Sequence, residues 1–92
     1  MKSANKISIQ GTVQGLFYSQ FVKENAEKLK LRGYFRVLDD GKVEILVEGD
    51  EIDLNEFYSI IQKGPKHSQI RNIKLEVKKW SGDFKEFKIL KF

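Results

Sequence analysis

The chain contains no cysteine and only one histidine, His67. Disulfide bonds and thiolate metal sites are therefore excluded, and the cluster of histidines and cysteines that usually holds zinc is missing. We expect no metal site. His67 lies between Pro65 and Ser68, in a composition typical of exposed loops, so we interpret it as a solvated turn residue rather than a ligand.

Long hydrophobic runs are also missing. No stretch approaches the roughly 20 apolar residues of a membrane-spanning helix, and residues 1–5 lack the apolar core of a signal peptide. These absences predict no contact with membranes and a cytoplasmic location. Residues 1–5 carry no apolar run, so we expect them to be frayed.

The basic residues are rich in lysine and poor in arginine. A total of 17 basic and 13 acidic residues gives a net charge of +4, and only Arg32, Arg36 and Arg71 are arginines. A positive balance attracts anions, but the lysines are interleaved with acidic residues, which favours a solvated surface. With 40% hydrophobic and 33% charged residues, the chain has the composition of one globular domain spanning residues 1–92.

Periodicity divides the chain into two helices and several strands. Apolar residues alternate in the strands and recur every three or four positions in the helices. The predicted elements are a strand at 6–13, a helix from about 18 to 31, strands at 34–38 and 43–47, a helix from Asp53 to Gly64 that buries Ile60 among others, a strand at 73–77 and a short last strand at 87–89. Asp39, Asp40 and Gly41 predict a hairpin turn.

This β-α-β-β-α-β order predicts an α+β fold of the ferredoxin-like kind. In that sandwich, two helices cover one face of an antiparallel sheet, and here a final segment is added at the edge. The fold serves many unrelated functions, so the function has to be argued from a site.

The segment from Gly11 to Ser19 is the strongest candidate for such a site. Gly11 and Gly15 flank a short turn that leaves a strand and enters a helix. Successive backbone N–H groups in a turn of this kind, with the positive end of the helix dipole behind them, can bind an anion. Glycines at strand ends also serve ordinary backbone geometry, so a plain turn is the alternative.

The same segment resembles the acylphosphatase family. Gly11-x-Val13-Gln14-Gly15-x-x-Tyr18 is similar to the phosphate loop of that family, Gly-x-Val-Gln-Gly-Val-x-Phe-Arg. Further motifs that resemble the family follow in order: Ala26-x-x-Leu29-x-Leu31-x-Gly33-Tyr34, Asp40-Gly41-x-Val43-Glu44, Glu48-Gly49, and Phe57 with Gly64-Pro65. The resemblance covers nearly the whole chain and implies the same fold.

The resemblance also implies a reaction, the hydrolysis of the carboxyl–phosphate bond of small acyl phosphates without metal or cofactor. It implies that loop N–H groups hold the phosphate, that an arginine at the end of the loop grips two of its oxygens, and that an asparagine on the second strand positions the attacking water. The loop residues so implied are Gly11, Thr12, Val13, Gln14, Gly15, Leu16 and Phe17.

Both catalytic side chains of that scheme are substituted. The arginine position is Ser19 and the asparagine position is Val37, and the motifs on either side stay in register. Losing a transition-state arginine costs roughly 10³–10⁵ in rate, and losing one further donor costs roughly 10²–10³. We therefore predict a catalytically inactive or strongly impaired homologue that retains weak binding of a phosphate-type anion.

An active acylphosphatase with relocated catalytic groups is the alternative. Lys23, one helical turn after Ser19, and Arg36 are the nearest candidates in sequence. Strand alternation predicts that Arg36 and Val37 lie on opposite faces of the sheet, and a lysine lacks the two-pronged geometry of a guanidinium. Ser19 has no neighbouring general base, so we do not expect it to act as a nucleophile.

Nucleic-acid binding is a third hypothesis, because RNA-recognition motifs share this order of elements. Those domains stack bases on aromatic side chains of strands one and three, and neither residues 6–9 nor 43–48 include one. Glu44 and Glu48 would also repel phosphates. We expect a small phosphate-type anion as the partner, no nucleic acid, and a monomer.

Overall fold

The computed structural model describes residues 1–12, 16–64 and 69–90. The elements follow the predicted order: β1 (Lys2–Thr12), α1 (Leu16–Lys28), β2 (Arg32–Val37), β3 (Val43–Asp50), α2 (Glu51–Lys63), β4 (Gln69–Lys78) and β5 (Phe87–Leu90).

The strands form one sheet in the order β4-β1-β3-β2-β5. β1 pairs antiparallel with β3 and β4, and β2 pairs antiparallel with β3. The predicted ferredoxin-like fold is confirmed, with one difference at the edge, where β5 pairs parallel with β2. The chain leaves β4 at one edge of the sheet and crosses to the other edge, so β5 enters from the end at which β2 also begins.

One buried cluster fills the space between the sheet and the helices. Ile7 of β1 and Ile45 of β3 are fully buried opposite each other. Helix α2 contributes Leu54, Phe57 and Ile61, which recur at helical spacing on one face. Burial of each such side chain contributes about 1.5–3 kcal/mol, so this shared core fixes the helices on one face of the sheet.

The prediction that residues 1–5 are frayed is wrong. β1 begins at Lys2, opposite Asp50, and Asn5 is buried between two neighbouring strands. The Met1 amino group donates to Asp50 Oδ1 at 3.0 Å, and the Met1 carbonyl accepts from the Glu51 N–H at 2.9 Å. Backbone pairing on both sides of a central strand holds this segment without help from an apolar pattern.

Helix boundaries differ from the prediction by about one turn. α2 begins at Glu51 with Asp50 at the N-cap position, not at Asp53, because β3 runs into the helix without a loop. Its end is as predicted: the Gly64 N–H donates to the Ile60 carbonyl at 3.0 Å, and Gly64 has a φ of 66°. Ile60 itself is half-buried.

Among the described residues, no helix has the length and apolar character that crossing a membrane requires.

The connection between β2 and β3 is the predicted hairpin turn. The Leu38 N–H donates to the Lys42 carbonyl at 2.7 Å, and the Gly41 N–H donates to the Leu38 carbonyl at 2.9 Å. Gly41 has a φ of 84°, a conformation that glycine adopts readily. This tight turn places the end of β2 beside the start of β3.

Candidate functional site

The predicted anion-binding loop joins β1 to α1 at one end of the sheet. Gly11 and Thr12 are the last two residues of β1, and the backbone of Leu16 and Phe17 begins α1. Residues 13–15, which complete the predicted loop, lie outside the described residues. The structure therefore fixes both ends of the loop: a strand end, and the start of a helix whose dipole is positive there.

Ser19 and Val37, the two positions predicted to be substituted, lie at the same end of the molecule as the loop. Ser19 is in the first turn of α1 and is 5% exposed, and Val37 is the last residue of β2, opposite Val43, and is 38% exposed. The rings of Tyr18 and Phe35, at a centroid distance of 6.1 Å, join the helix and strand that carry them. Val37 follows Phe35 by two residues and so shares the face of β2 that is turned towards the helices.

Neither of these side chains can do what the implied scheme requires. The Ser19 hydroxyl carries no charge and has one donor, whereas a guanidinium presents several donors in a fixed fork. The Val37 side chain neither donates nor accepts a hydrogen bond, so it cannot orient water. Of the phosphate-binding groups in the implied scheme, the backbone N–H groups at the start of α1 do not depend on these two side chains.

Tyr18 carries a buried hydroxyl that has no hydrogen-bond partner among the described residues. The side chain is 3% exposed, and burial raises the pKa of the phenol well above its usual range. The acylphosphatase motif has phenylalanine at this position. With respect to residues 1–12, 16–64 and 69–90, Tyr18 therefore adds an unsatisfied polar group to the core directly beside Ser19, which costs free energy of folding.

Replacing Tyr18 with phenylalanine should stabilise the protein by about 1 kcal/mol, because the ring stays and the unsatisfied hydroxyl is removed. Urea unfolding followed by circular dichroism measures the difference. Tyr58→Phe is the matched control: its side chain is half-buried, and we expect a change below about 0.5 kcal/mol. A loss of stability in Tyr18→Phe would mean that the hydroxyl is hydrogen-bonded in solution.

Arg36 is held by Glu44 on the opposite face of the sheet. The Glu44 carboxylate is only 5% exposed, accepts a hydrogen bond from the Arg36 guanidinium, and lies 3.1 Å from the Lys6 ammonium. Burial raises the pKa of Glu44, but the hydrogen bonds from Arg36 and Lys6 outweigh it, so this pKa lies below its ordinary value. The predicted orientation of Arg36 away from Val37 is confirmed.

Two other cations differ in their position relative to the loop. Lys23 lies on α1 one turn after Ser19, is half-buried, and has no ion pair within the part of the chain that the structure describes. Arg32 begins β2 opposite Glu48, at the end of the sheet away from Val37. Lys23 therefore lies on the helix that follows the loop, whereas Arg32 lies at the far end of the sheet.

The Glu48 side chain binds the segment that follows β4, a contact that the periodicity of the sequence did not predict. Its carboxylate accepts from the Ser81 N–H at 2.8 Å, the Ser81 hydroxyl at 2.7 Å and the Gly82 N–H at 3.1 Å. These bonds fix residues 79–86, the segment that crosses from β4 to β5, to the sheet. Trp80, in the same segment, is 47% exposed and lies under the Lys2 ammonium at 5.0 Å from the ring centroid.

The described residues contain no group of three histidine, cysteine or acidic side chains arranged to hold a metal ion. His67, interpreted from sequence as a turn residue, lies outside the described residues.

A model of the acylphosphatase family matches residues 5–89. The chain belongs to the acylphosphatase family. An acylphosphatase of Bacillus licheniformis is 42% identical over 84 residues, which cover 91% of this chain and 93% of that protein. The agreement in length and in identity extends over nearly the whole domain.

Solved structures agree with this family. The crystal structure of acylphosphatase from Bacillus subtilis matches with a TM-score of 0.90 at 33% identity, covering 99% of this chain and all of that one. Full-length HypF, in a phosphate- and nucleotide-bound form, matches with a TM-score of 0.89 at 32% identity, covering 99% of this chain and 12% of HypF. An acylphosphatase-family domain of this kind thus also occurs inside a much larger protein.

Proposed function

We propose that this acylphosphatase-family domain hydrolyses acyl phosphates very slowly or not at all, and that residues 11–17 bind a small phosphate-type anion weakly. The reaction assigned to the family by resemblance is hydrolysis of acyl phosphates to carboxylate and phosphate, without a cofactor.

The pair Ser19 and Val37 carries this proposal. These positions correspond to the family's arginine and asparagine, and neither replacement supplies the required group. The transition state spreads negative charge over the phosphoryl oxygens. Loss of the guanidinium therefore removes the hydrogen bonds that stabilise this charge. Losing both groups removes on the order of 5 kcal/mol of transition-state stabilisation, even though such effects are not additive.

Retained anion binding is supported by the backbone and by local charge. N–H groups at a helix start need no particular side chain to bind an anion. The first turn of α1 contains no acidic residue, so no carboxylate competes with an anion for the positive end of the dipole. Binding and hydrolysis therefore depend on different parts of the site.

An active enzyme with relocated groups is the second candidate. It is favoured by the 42% identity to a protein named acylphosphatase. Lys23 would be the relocated cation on α1, since the Arg36 guanidinium is occupied by Glu44 on the other face. A lysine supplies charge but not two parallel hydrogen bonds.

An ultraviolet assay with benzoyl phosphate tests the proposal. We expect the purified chain to add little to the spontaneous hydrolysis of this substrate, measured in the same buffer without protein. Lys23→Ala and Lys28→Ala form a matched pair, because Lys28 lies in the last turn of the same helix. Rapid turnover that Lys23→Ala abolishes and Lys28→Ala preserves would establish the second candidate instead.

We also propose that the domain is a monomer that binds neither nucleic acid nor membranes. β1 and β3 contain no aromatic residue, so the sheet offers no stacking platform at those strands. A salt-dependent gel shift with RNA would contradict this part of the proposal.

A further inference from the structure

A cavity lies at the end of the sheet that is farthest from Val37, beside the segment that crosses from β4 to β5. It is bordered by the starts of β1 and β2, the end of β3 and the residues that follow α1. Its volume is about 260 Å³, slightly below the roughly 300–1,000 Å³ of pockets that bury drug-sized ligands. The cavity therefore has room for a small ligand.

One side of this cavity is aromatic. Trp80 lines it from the crossing segment, with the Lys2 ammonium 5.0 Å from its ring centroid. The backbone of Gly82 lies close to the same ring, since a Cβ added there would be 2.8 Å from the Trp80 Cη2 atom. Phe84 also lines the cavity, and its ring centroid is 6.0 Å from that of Tyr34. Two aromatic side chains with defined neighbours thus border the space.

Most of the negative charge around the cavity is already compensated. Three carboxylates line it. That of Glu48 accepts three hydrogen bonds from the crossing segment. That of Asp50 lies 3.0 Å from the Met1 amino group. Only Asp53 is without an ion pair to another described residue.

The positive charge around the cavity is not compensated in this way. Arg32 pairs with Glu48 across the strands, so its side chain starts on the same face of the sheet, yet the two form no ion pair. Lys30 is exposed and also has no ion pair within residues 1–12, 16–64 and 69–90. Its φ of 57° is unusual for a residue other than glycine. With Lys2, three cations line a cavity in which one carboxylate is unpaired.

We infer that this cavity binds a small aromatic anion, that is, an aromatic ring bearing a carboxylate or a phosphate group. The Arg32 guanidinium can donate two parallel hydrogen bonds to oxygens of such a group, and Lys30 adds positive charge beside it. Trp80 and Phe84 supply the apolar surface for the ring. The inference does not depend on the proposed function, because the site and the loop lie at opposite ends of the sheet.

Titrations with benzoate and with phenyl phosphate at low ionic strength, followed by ¹⁵N–¹H correlation spectra, test the inference. Trp80 is the only tryptophan of the chain, so its indole N–H gives a single cross-peak. This peak and the Gly82 amide should shift saturably with at least one of the two compounds. Acetate has the charge without the ring, and benzyl alcohol has the ring without the charge. Each should bind at least about tenfold more weakly than benzoate or phenyl phosphate, whichever binds more tightly.

Substitutions of Arg32 test its part in the site. Arg32→Ala should weaken the apparent Kd at least about tenfold, because charged hydrogen bonds are lost. Arg32→Lys, which keeps the charge without the fork, should lie between this variant and the unmodified chain. Arg71→Ala is the matched control: Arg71 is an exposed arginine near the start of β4, at the other end of the sheet, and its loss should leave the Kd unchanged. Thermal unfolding verifies that each variant is folded.

Three results would overturn the inference. The first is that neither compound shifts the Trp80 indole peak; shifts confined to the loop amides, such as that of Gly11, would then support the proposed anion binding alone. The second is that benzyl alcohol binds as tightly as both anions, because the cations would then have no part in binding. The third is an equal loss of affinity in Arg32→Ala and Arg71→Ala, which would reflect net charge rather than this site.

Discussion

The double variant Ser19→Arg/Val37→Asn should hydrolyse benzoyl phosphate at least about 10³-fold faster than the unmodified chain. The arginine would donate two parallel hydrogen bonds to the phosphoryl oxygens as their charge develops, and the asparagine would orient the attacking water. Both positions lie at the end of the sheet where the loop joins β1 to α1. The ultraviolet assay gives kcat/KM directly, after subtraction of spontaneous hydrolysis.

Two comparisons make this expectation specific. Each single variant should gain much less than the pair, because groups that act on one transition state are not additive. Ser19→Lys/Val37→Asn adds the same charge without the guanidinium fork and should be slower than the arginine pair by about tenfold or more. Since Ser19 is only 5% exposed, circular dichroism has to confirm that each variant folds. A folded arginine pair that stays at the spontaneous rate would contradict the assignment of these two positions.

Local patterns in the sequence predicted most of the fold. The order of elements, the hairpin at Gly41 and the helix end at Gly64 follow from periodicity and turn residues within a few positions of each other. The helix boundaries were wrong by up to about one turn. The other errors concern pairing between distant segments. Residues 2–5 belong to a strand because β3 pairs with them from Lys2 and β4 from Ala4. β5 is parallel to β2 because residues 79–86 cross from one edge of the sheet to the other. No local sequence pattern encodes which strands lie beside the start of β1 or beside β5.

In the candidate site, too, some features follow from local motifs and others depend on contacts between distant segments. Ser19 and Val37 are assigned by counting from flanking motifs, since each lies within a few residues of a glycine, and this assignment stays a prediction. The ion pairs of Glu44 and the β-bulge in β4 opposite Gln10 and Gly11 depend on the register between strands that are far apart in sequence. Glu44, predicted to repel phosphate, is instead compensated by two cations. A side chain's charge can be read from sequence, but its partner cannot.

At position 33, which belongs to one of the family motifs, a close contact with the backbone of the neighbouring strand requires glycine. It lies in β2 opposite Val47 and has a φ of 150°, which L side chains rarely adopt. A Cβ at this position would lie 1.8 Å from the Leu46 carbonyl oxygen and 2.7 Å from its carbonyl carbon. Backbone atoms of the neighbouring strand cannot move aside without breaking the ladder between β2 and β3.

Gly33→Ala should therefore destabilise the protein by at least about 3 kcal/mol, or leave it unfolded without denaturant. Urea unfolding measures the loss. Gly49→Ala is the matched control in β3: its added Cβ would meet the Leu31 Cδ2 atom at 2.5 Å, and that side chain can change its rotamer. We expect a loss of about 1 kcal/mol there. Equal losses in the two variants would mean that the contact with the Leu46 carbonyl does not decide the residue at position 33. A large loss confined to Gly33→Ala would instead explain the glycine by the spacing of two strand backbones, independently of any catalytic role.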